Sequence, residues 1–181
     1  MEREKQPQFT VSEMTLDDIE LATVMRLQSW LDTYTNEAEG VSAEWIEQRN
    51  HEQMAPEKVA SRRERFVEGR QNGTFNAWVA KDAKGLIIGS TTPYRDEDGM
   101  WHLGSLYVDK NYHGTGVGNE LMRTAMSWIG NEQDVHLGVV KYNERAKAFY
   151  RKWGFVEVPN SETLFADKIP EVKMVRKVKG E

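Results

Sequence analysis

Residues 103–128 read LGSLYVDKNYHGTGVGNELMRTAMSW. The stretch combines an apolar strand, a short polar turn, three glycines at alternate positions and an amphipathic helix that begins inside the glycine cluster. Gly114, Gly116 and Gly118 carry no side chains to keep an anion from the backbone. The helix that follows directs unpaired N–H groups and the positive end of its dipole at the same place. The pattern describes either an anion cradle or only a tight strand-to-helix turn. It is not a nucleotide P-loop, because Gly118 is followed by Asn119 and Glu120 where that loop needs Lys and Ser or Thr. It is not a dinucleotide turn either, since the spacing is G-x-G-x-G and the preceding strands form antiparallel hairpins.

The flanking sequence supplies the frame. Phe9 to Met14 reads as a strand, and Thr15 as the N-cap of a helix with Asp17 and Asp18 in its first turn. Ile19, Val24, Leu27, Trp30 and Leu31 give that helix an apolar stripe. Residues 41–71 read as helical, with Pro56 dividing them into two pieces. Phe75 to Lys81, Leu86 to Tyr94 and Met100 to Val108 read as strands joined by the turns DAKG and RDEDG. Val117, Leu121, Ala125 and Trp128 mark the buried side of the next helix, which Gly130 ends. Val135 to Val140 is a strand, and Asn143 caps a helix that stops at Gly154. Phe155 to Val158 and Val172 to Val178 are the last two strands. The order βααβββαβαββ predicts one α+β domain, a mixed and mostly antiparallel sheet flanked by helices. Residues 1–7 are expected to be loose.

Composition removes several function classes. The 181 residues include no cysteine, which excludes disulfides, a thiol nucleophile and thiolate metal sites. The net charge of −5 argues against general nucleic-acid binding. No apolar run approaches the ~18 residues needed to cross a bilayer, and the N-terminus lacks the apolar region of a signal peptide, so a cytoplasmic protein is expected. Against the acidic background, residues 141–152 (KYNERAKAFYRK) carry five basic residues and a single glutamate.

Two segments, LYVDKNYHGTGVGNELM and VVKYNERAKAFYRKWGFVEV, together resemble the GCN5-related N-acetyltransferase (GNAT) superfamily. The family's loop pattern, Gln/Arg-x-x-Gly-x-Gly/Ala, falls on His113, Gly116 and Gly118. Its later signature falls on Asn143, Ala146, Phe149, Tyr150, Gly154 and Phe155. The resemblance implies a GNAT fold, with residues 75–181 as the acetyl-CoA-binding core and 9–74 on the acceptor side. It implies that acetyl-CoA is cosubstrate, its pyrophosphate on the amides of His113, Gly114, Thr115, Gly116, Val117 and Gly118, its pantetheine along Leu106, Tyr107 and Val108. Asn143 is then a ligand to the pantetheine, a helix cap, or both. Lys147 and Arg145 meet the nucleotide phosphates or form a solvated basic face.

By its spacing Tyr150 reads as a core aromatic; the resemblance implies that it is the acid that protonates the departing thiolate. A phenol with a reference pKa of about 10 is protonated at neutral pH and can donate. His102 reads as the base that deprotonates the amine, or as a surface histidine. Trp30 and Tyr34 resemble the Trp-x-x-x-Tyr stretch of a bacterial subgroup that includes polyamine acetyltransferases and are expected at the acceptor site, with Asp32, Glu37 and Glu39 offering negative charge to a cation. Otherwise Trp30 packs in the core. The expected reaction is direct attack of a primary amine on the acetyl carbonyl, without metal, nucleic-acid or membrane partners and with a homodimer left open. A non-catalytic acyl-CoA-binding regulator on the same fold is the alternative.

Overall fold

Alternating apolar residues and turn-forming dipeptides build a single sheet in the computed structural model, which describes residues 9–178; the expected loose segment 1–7 lies outside them. In chain order the elements are β1 (Phe9–Glu13), α1 (Asp18–Tyr34), α2 (Ala43–Gln53), α3 (Pro56–Gln71), β2 (Trp78–Asp82), β3 (Ile87–Arg95), β4 (Trp101–Val108), α4 (Val117–Ile129), β5 (Val135–Val140), α5 (Glu144–Lys152), β6 (Val156–Glu157), β7 (Thr163–Phe165) and β8 (Ile169–Arg176). The two pieces into which Pro56 divides residues 41–71, written as one in the predicted order, are separate helices, so three helices precede the hairpins. Pro56 stands at the first turn of α3, where its missing N–H costs nothing, so it opens a new helix and does not kink an old one. An unforeseen strand, β7, pairs with β8 across a turn in which Ala166 and Asp167 both have positive φ. No glycine marks that turn, which is why the pattern hid it.

The start of α1 also differs from its expectation. Thr15 does not cap through its hydroxyl; its N–H and Oγ1 both donate to Asp18 Oδ2, at 2.9 and 2.8 Å. The carboxylate of Asp18, 5% exposed, reaches back over the first turn and also meets Lys81 Nζ at 2.6 Å. Burial pushes that carboxyl up, but the Lys81 ammonium and the Thr15 donors outweigh it and hold it below the usual range.

The strands run in the order β1-β2-β3-β4-β5-β8-β6, with β7 on β8. Every pairing is antiparallel except β4–β5, and that ladder lasts only for Trp101↔Val135 and His102↔His136. Beyond His102 the two strands carry on to Val108 and Val140 without pairing, and the sheet opens into a wedge. One face is covered by α4 and α5, over a core of Leu103, Met122, Leu137, Tyr150, Phe155 and Met174. On the other, α1, α2 and their connection pack Leu27, Trp30, Val41 and Ile46 against Val140 and Ile169. Gly89 allows α4 to lie close on β3: a Cβ there would stand 2.9 Å from Leu121 Cδ1 and 3.1 Å from the Tyr107 carbonyl oxygen.

Candidate active site

The wedge exposes one edge of β4, and its hydrogen-bonding groups follow from the register. Asp109 N–H donates to Ile88 O at 2.9 Å, so Tyr107 also faces β3 while Leu106 and Val108 turn their N–H and C=O groups into the opening. The Val108 carbonyl lies 3.0 Å from His113 Nε2. Arg145 donates to Nδ1 of the same ring, so Nε2 carries the proton and donates to Val108. Burial, helped by the Arg145 guanidinium, depresses the basicity of this histidine, which keeps the bridging imidazole neutral.

At the mouth of the opening, Gly114 and Gly116 adopt φ of 80° and 96°, values that a side chain would strain. Gly116 is the N-cap of α4 and supplies no side-chain hydrogen bond to it. The first intrahelical bond runs from Glu120 N–H to Gly116 O, which leaves the amides of Val117, Gly118 and Asn119 without intrahelical acceptors. Thr115 Oγ1 donates instead to Tyr112 O, at 2.6 Å. The loop, the free edge of β4 and the start of α5 enclose a cleft of about 350 Å³, lined among others by Val108, Gly116, Asn143, Arg145 and Phe149 and reaching Tyr150. Asn143 Oδ1 accepts from Ala146 N–H at 3.0 Å, so the side chain caps α5 while its amide nitrogen remains beside the cleft. Lys147 points elsewhere: it is 7% exposed and bonded to Glu144 Oε1 at 2.5 Å, and it does not line the cleft.

Tyr150 lies in the α4–α5 core with its ring against Phe149 and Phe155. Burial, with the neighbouring Tyr107, pushes its phenol far above the ordinary range, and no hydrogen bond from the described residues lowers it. Beside it, Tyr107 accepts from Trp30 Nε1 at 3.0 Å and shares a 2.9 Å hydrogen bond with Tyr34 Oη. Trp30 is 4% exposed and packs edge-on against Phe165, so it supports the site from within the core, whereas Tyr34 lines the cleft itself. Asp32 is paired with Lys110 at 2.7 Å, which offsets its charge toward a cation.

His102 occupies the other end of β4, outside this cleft. It stacks on Tyr94, with 4.9 Å between ring centroids, and its Nε2 lies 2.7 Å from Asp96 Oδ2. Glu171, a carboxylate the sequence reading passed over, does not itself line the cleft but packs on a residue that does. Glu171 on β8 extends over Gly138 of β5: a Cβ on that glycine would stand 2.5 Å from Oε1. Gly138 lines the cleft, and burial raises the Glu171 carboxyl, against the weaker pull of Lys173. The Glu171 side chain has no hydrogen bond or ion pair among the described residues; burial chiefly raises the phenols of Tyr34 and Tyr94, and the Glu171 charge adds a small further push to each. Gly104 repeats the arrangement on β4, where Tyr94 lies over it with Cε1 2.7 Å from a Cβ position. Glycines inside two strands that face one another across a wedge were the available signal, because such a glycine marks the close approach of another group.

A free strand edge, an uncapped glycine-framed helix terminus and an unpartnered buried phenol around one cleft suit a carrier with a phosphate end and a reactive end. The model of the acetyltransferase (GNAT) family matches residues 27–155. The chain belongs to that family. It is 34% identical over 115 residues to uncharacterized N-acetyltransferases of Mycobacterium tuberculosis and Mycobacterium bovis, an alignment covering 56% of this chain and 70% of theirs. Its fold is similar to that of the PaiA N-acetyltransferase of Thermoplasma acidophilum, a structure in complex with coenzyme A, with a TM-score of 0.73 at 22% identity over 94% of this chain and 99% of that one. A GNAT-family acetyltransferase of Staphylococcus aureus gives 0.69 at 18% identity, over 95% and 100% of the two chains.

Proposed function

We propose that the protein moves an acetyl group from acetyl-CoA to a primary amine by direct attack, with residues 75–181 binding the cosubstrate and 9–74 forming the acceptor side. The observation that carries the reading is the continuity of the cleft from the uncapped N-terminus of α4, past the unpaired edge of β4, to the hydroxyl of Tyr150. Anions are held at such helix termini by backbone donors and the helix dipole, which suits a pyrophosphate. The N–H groups of Leu106 and Val108 and the Leu106 carbonyl suit the amides of a pantetheine arm lying as an added strand, the Val108 carbonyl being taken up by His113. Arg145 and Lys152, both at the cleft, suit the remaining phosphate charge.

In the reaction, the amine nitrogen forms a bond to the acetyl carbon. An N–H on the open edge of β4, at Leu106 or Val108, supports the negative charge that gathers on the carbonyl oxygen. The tetrahedral species collapses by breaking the carbon–sulfur bond, and Tyr150 gives its proton to the sulfur. The entering amine must lose a proton, and the raised carboxyl of Glu171 is better tuned for that than an ordinary carboxylate, directly or through water. His102, engaged by Asp96 outside the cleft, takes no part in this scheme.

The test is free thiol released from acetyl-CoA in the presence of a panel of primary amines, with coenzyme A affinity measured alongside. Amine-dependent thiol release is the expected result. Tight coenzyme A binding without release for any amine would establish the alternative, a non-catalytic acyl-CoA-binding regulator.

A further inference from the structure

A second cavity, of about 570 Å³, lies on the opposite side of β4 from the loop, between α1, α3 and the strands β3 and β4. Its charged lining is lopsided for an acidic protein: Arg26, Arg62, Arg65 and Arg95 face Glu68 alone. The arginines that form ion pairs are others, Arg49, Arg63, Arg70, Arg123 and Arg151, so the four in the cavity have no carboxylate partner among the described residues. Glu20, whose charge acts on Arg62, is taken up by Arg63 at 2.8 and 3.0 Å. Arg62 is held by two bonds to Gln53, one to its carbonyl at 2.5 Å, while its Nε is buried and bonded to nothing. Arg26 is steadied over the Trp30 ring at 5.5 Å, and Arg95 over Trp101 at 6.0 Å. Guanidinium groups fixed in this way without a carboxylate present forks that match a carboxylate or phosphate.

The cavity abuts the acetyl-transfer cleft. Ser105 lines both, and Arg26 and Ser29, one turn apart on α1, line the cavity and the cleft respectively. Thr92 and Ser105, joined at 2.6 Å, form the polar sill between them. Resting on the acetyltransferase reading above, we propose that this cavity holds an acidic group of the acceptor, and that the substrate is an amine bearing a carboxylate or phosphate and not a polycation. The acid is anchored by Arg26 and Arg62, and the amine reaches across the Ser105 sill to the acetyl carbon.

Matched pairs test this: β-alanine against propylamine, phosphoethanolamine against ethylamine, and spermidine as the polycation. The acidic member of at least one pair should show kcat/KM greater by roughly 10- to 100-fold, the size expected of charge-assisted hydrogen bonds, and which pair does so separates carboxylate from phosphate. Arg26→Gln should shrink that ratio and Arg26→Glu abolish it, with coenzyme A affinity retained as the check on folding. Independently of turnover, succinate or inorganic phosphate should raise the melting temperature of protein already saturated with coenzyme A, and fail to do so in Arg26→Glu. Equal use of neutral and acidic amines, or preference for spermidine, overturns the proposal while leaving acetyl transfer intact. Anion binding that Arg26→Glu abolishes, with no thiol release from any amine, overturns acetyl transfer and with it the assignment of an acceptor.

Discussion

Tyr150 and Glu171 are both tuned by burial, which raises the phenol and the carboxyl alike. Tyr150→Phe removes only the proton offered to the leaving sulfur; kcat should fall by about 10²-fold, with coenzyme A affinity unchanged by isothermal titration. Because burial moves the phenol upward, the alkaline side of the wild-type pH–rate profile should show no loss traceable to Tyr150 up to about pH 10. Glu171→Gln should slow turnover and abolish an acid-side limb that in the wild type lies above the ordinary carboxylate value of about 4.3. The stability effect has the opposite sign. A carboxyl raised in the fold stabilises below its unfolded pKa, and that contribution is lost as pH rises through the folded value. At pH 7 the Gln variant should therefore melt no lower than the wild type. This residue was not legible in the sequence. IPEVKMVR reads as an ordinary alternating strand, and only the register Val140↔Glu171 and the bare surface of Gly138 bring the carboxylate to the cleft. The cap at Asn143 and the turn at Gly114 and Gly116 were legible because they are local, a side-chain cap and positive φ.

At the scale of the element, the opening of α1 makes a sharper stability claim than its sequence allowed. The Thr15–Asp18 contact and the Lys81 ion pair join a helix start to the end of β2, some sixty residues away in the chain. Asp18→Asn should cost about 1–3 kcal/mol at pH 7 in chemical denaturation, since it removes the buried carboxylate that accepts from both Thr15 donors and pairs with the half-buried Lys81. A carboxyl held low in the fold stabilises above its unfolded pKa, and the benefit disappears as pH falls through the folded value, so wild type and variant should converge below about pH 4. The strand and helix periods were plain from the spacing of apolar residues, and the hairpins β2–β3 and β3–β4 lie where their turns indicated. What periodicity does not carry is partner choice between distant strands. The two-pair ladder of β4 with β5, the hairpin β7–β8 and the arginines of α1 and α3 around one cavity all depend on it.

At the scale of the molecule, the strands divide into a set that ends at β4 and a set that begins at β5. Amide exchange in the proposed cosubstrate complex should slow at Leu106 and Val108 before it changes elsewhere in β4, and the melting temperature should rise with coenzyme A concentration. A ligand at 100 times its dissociation constant adds about 2.7 kcal/mol to such a fold. No change in exchange at those two amides would remove the added-strand pose. The short ladder at Trp101 and His102 acts mechanically as a clasp at the closed end of an otherwise unstitched seam. On that footing the carrier in the proposed complex would be structural timber as well as reagent: each turnover would mend the seam when acetyl-CoA arrives and reopen it when coenzyme A departs. The halves should breathe against one another at the rate of product release.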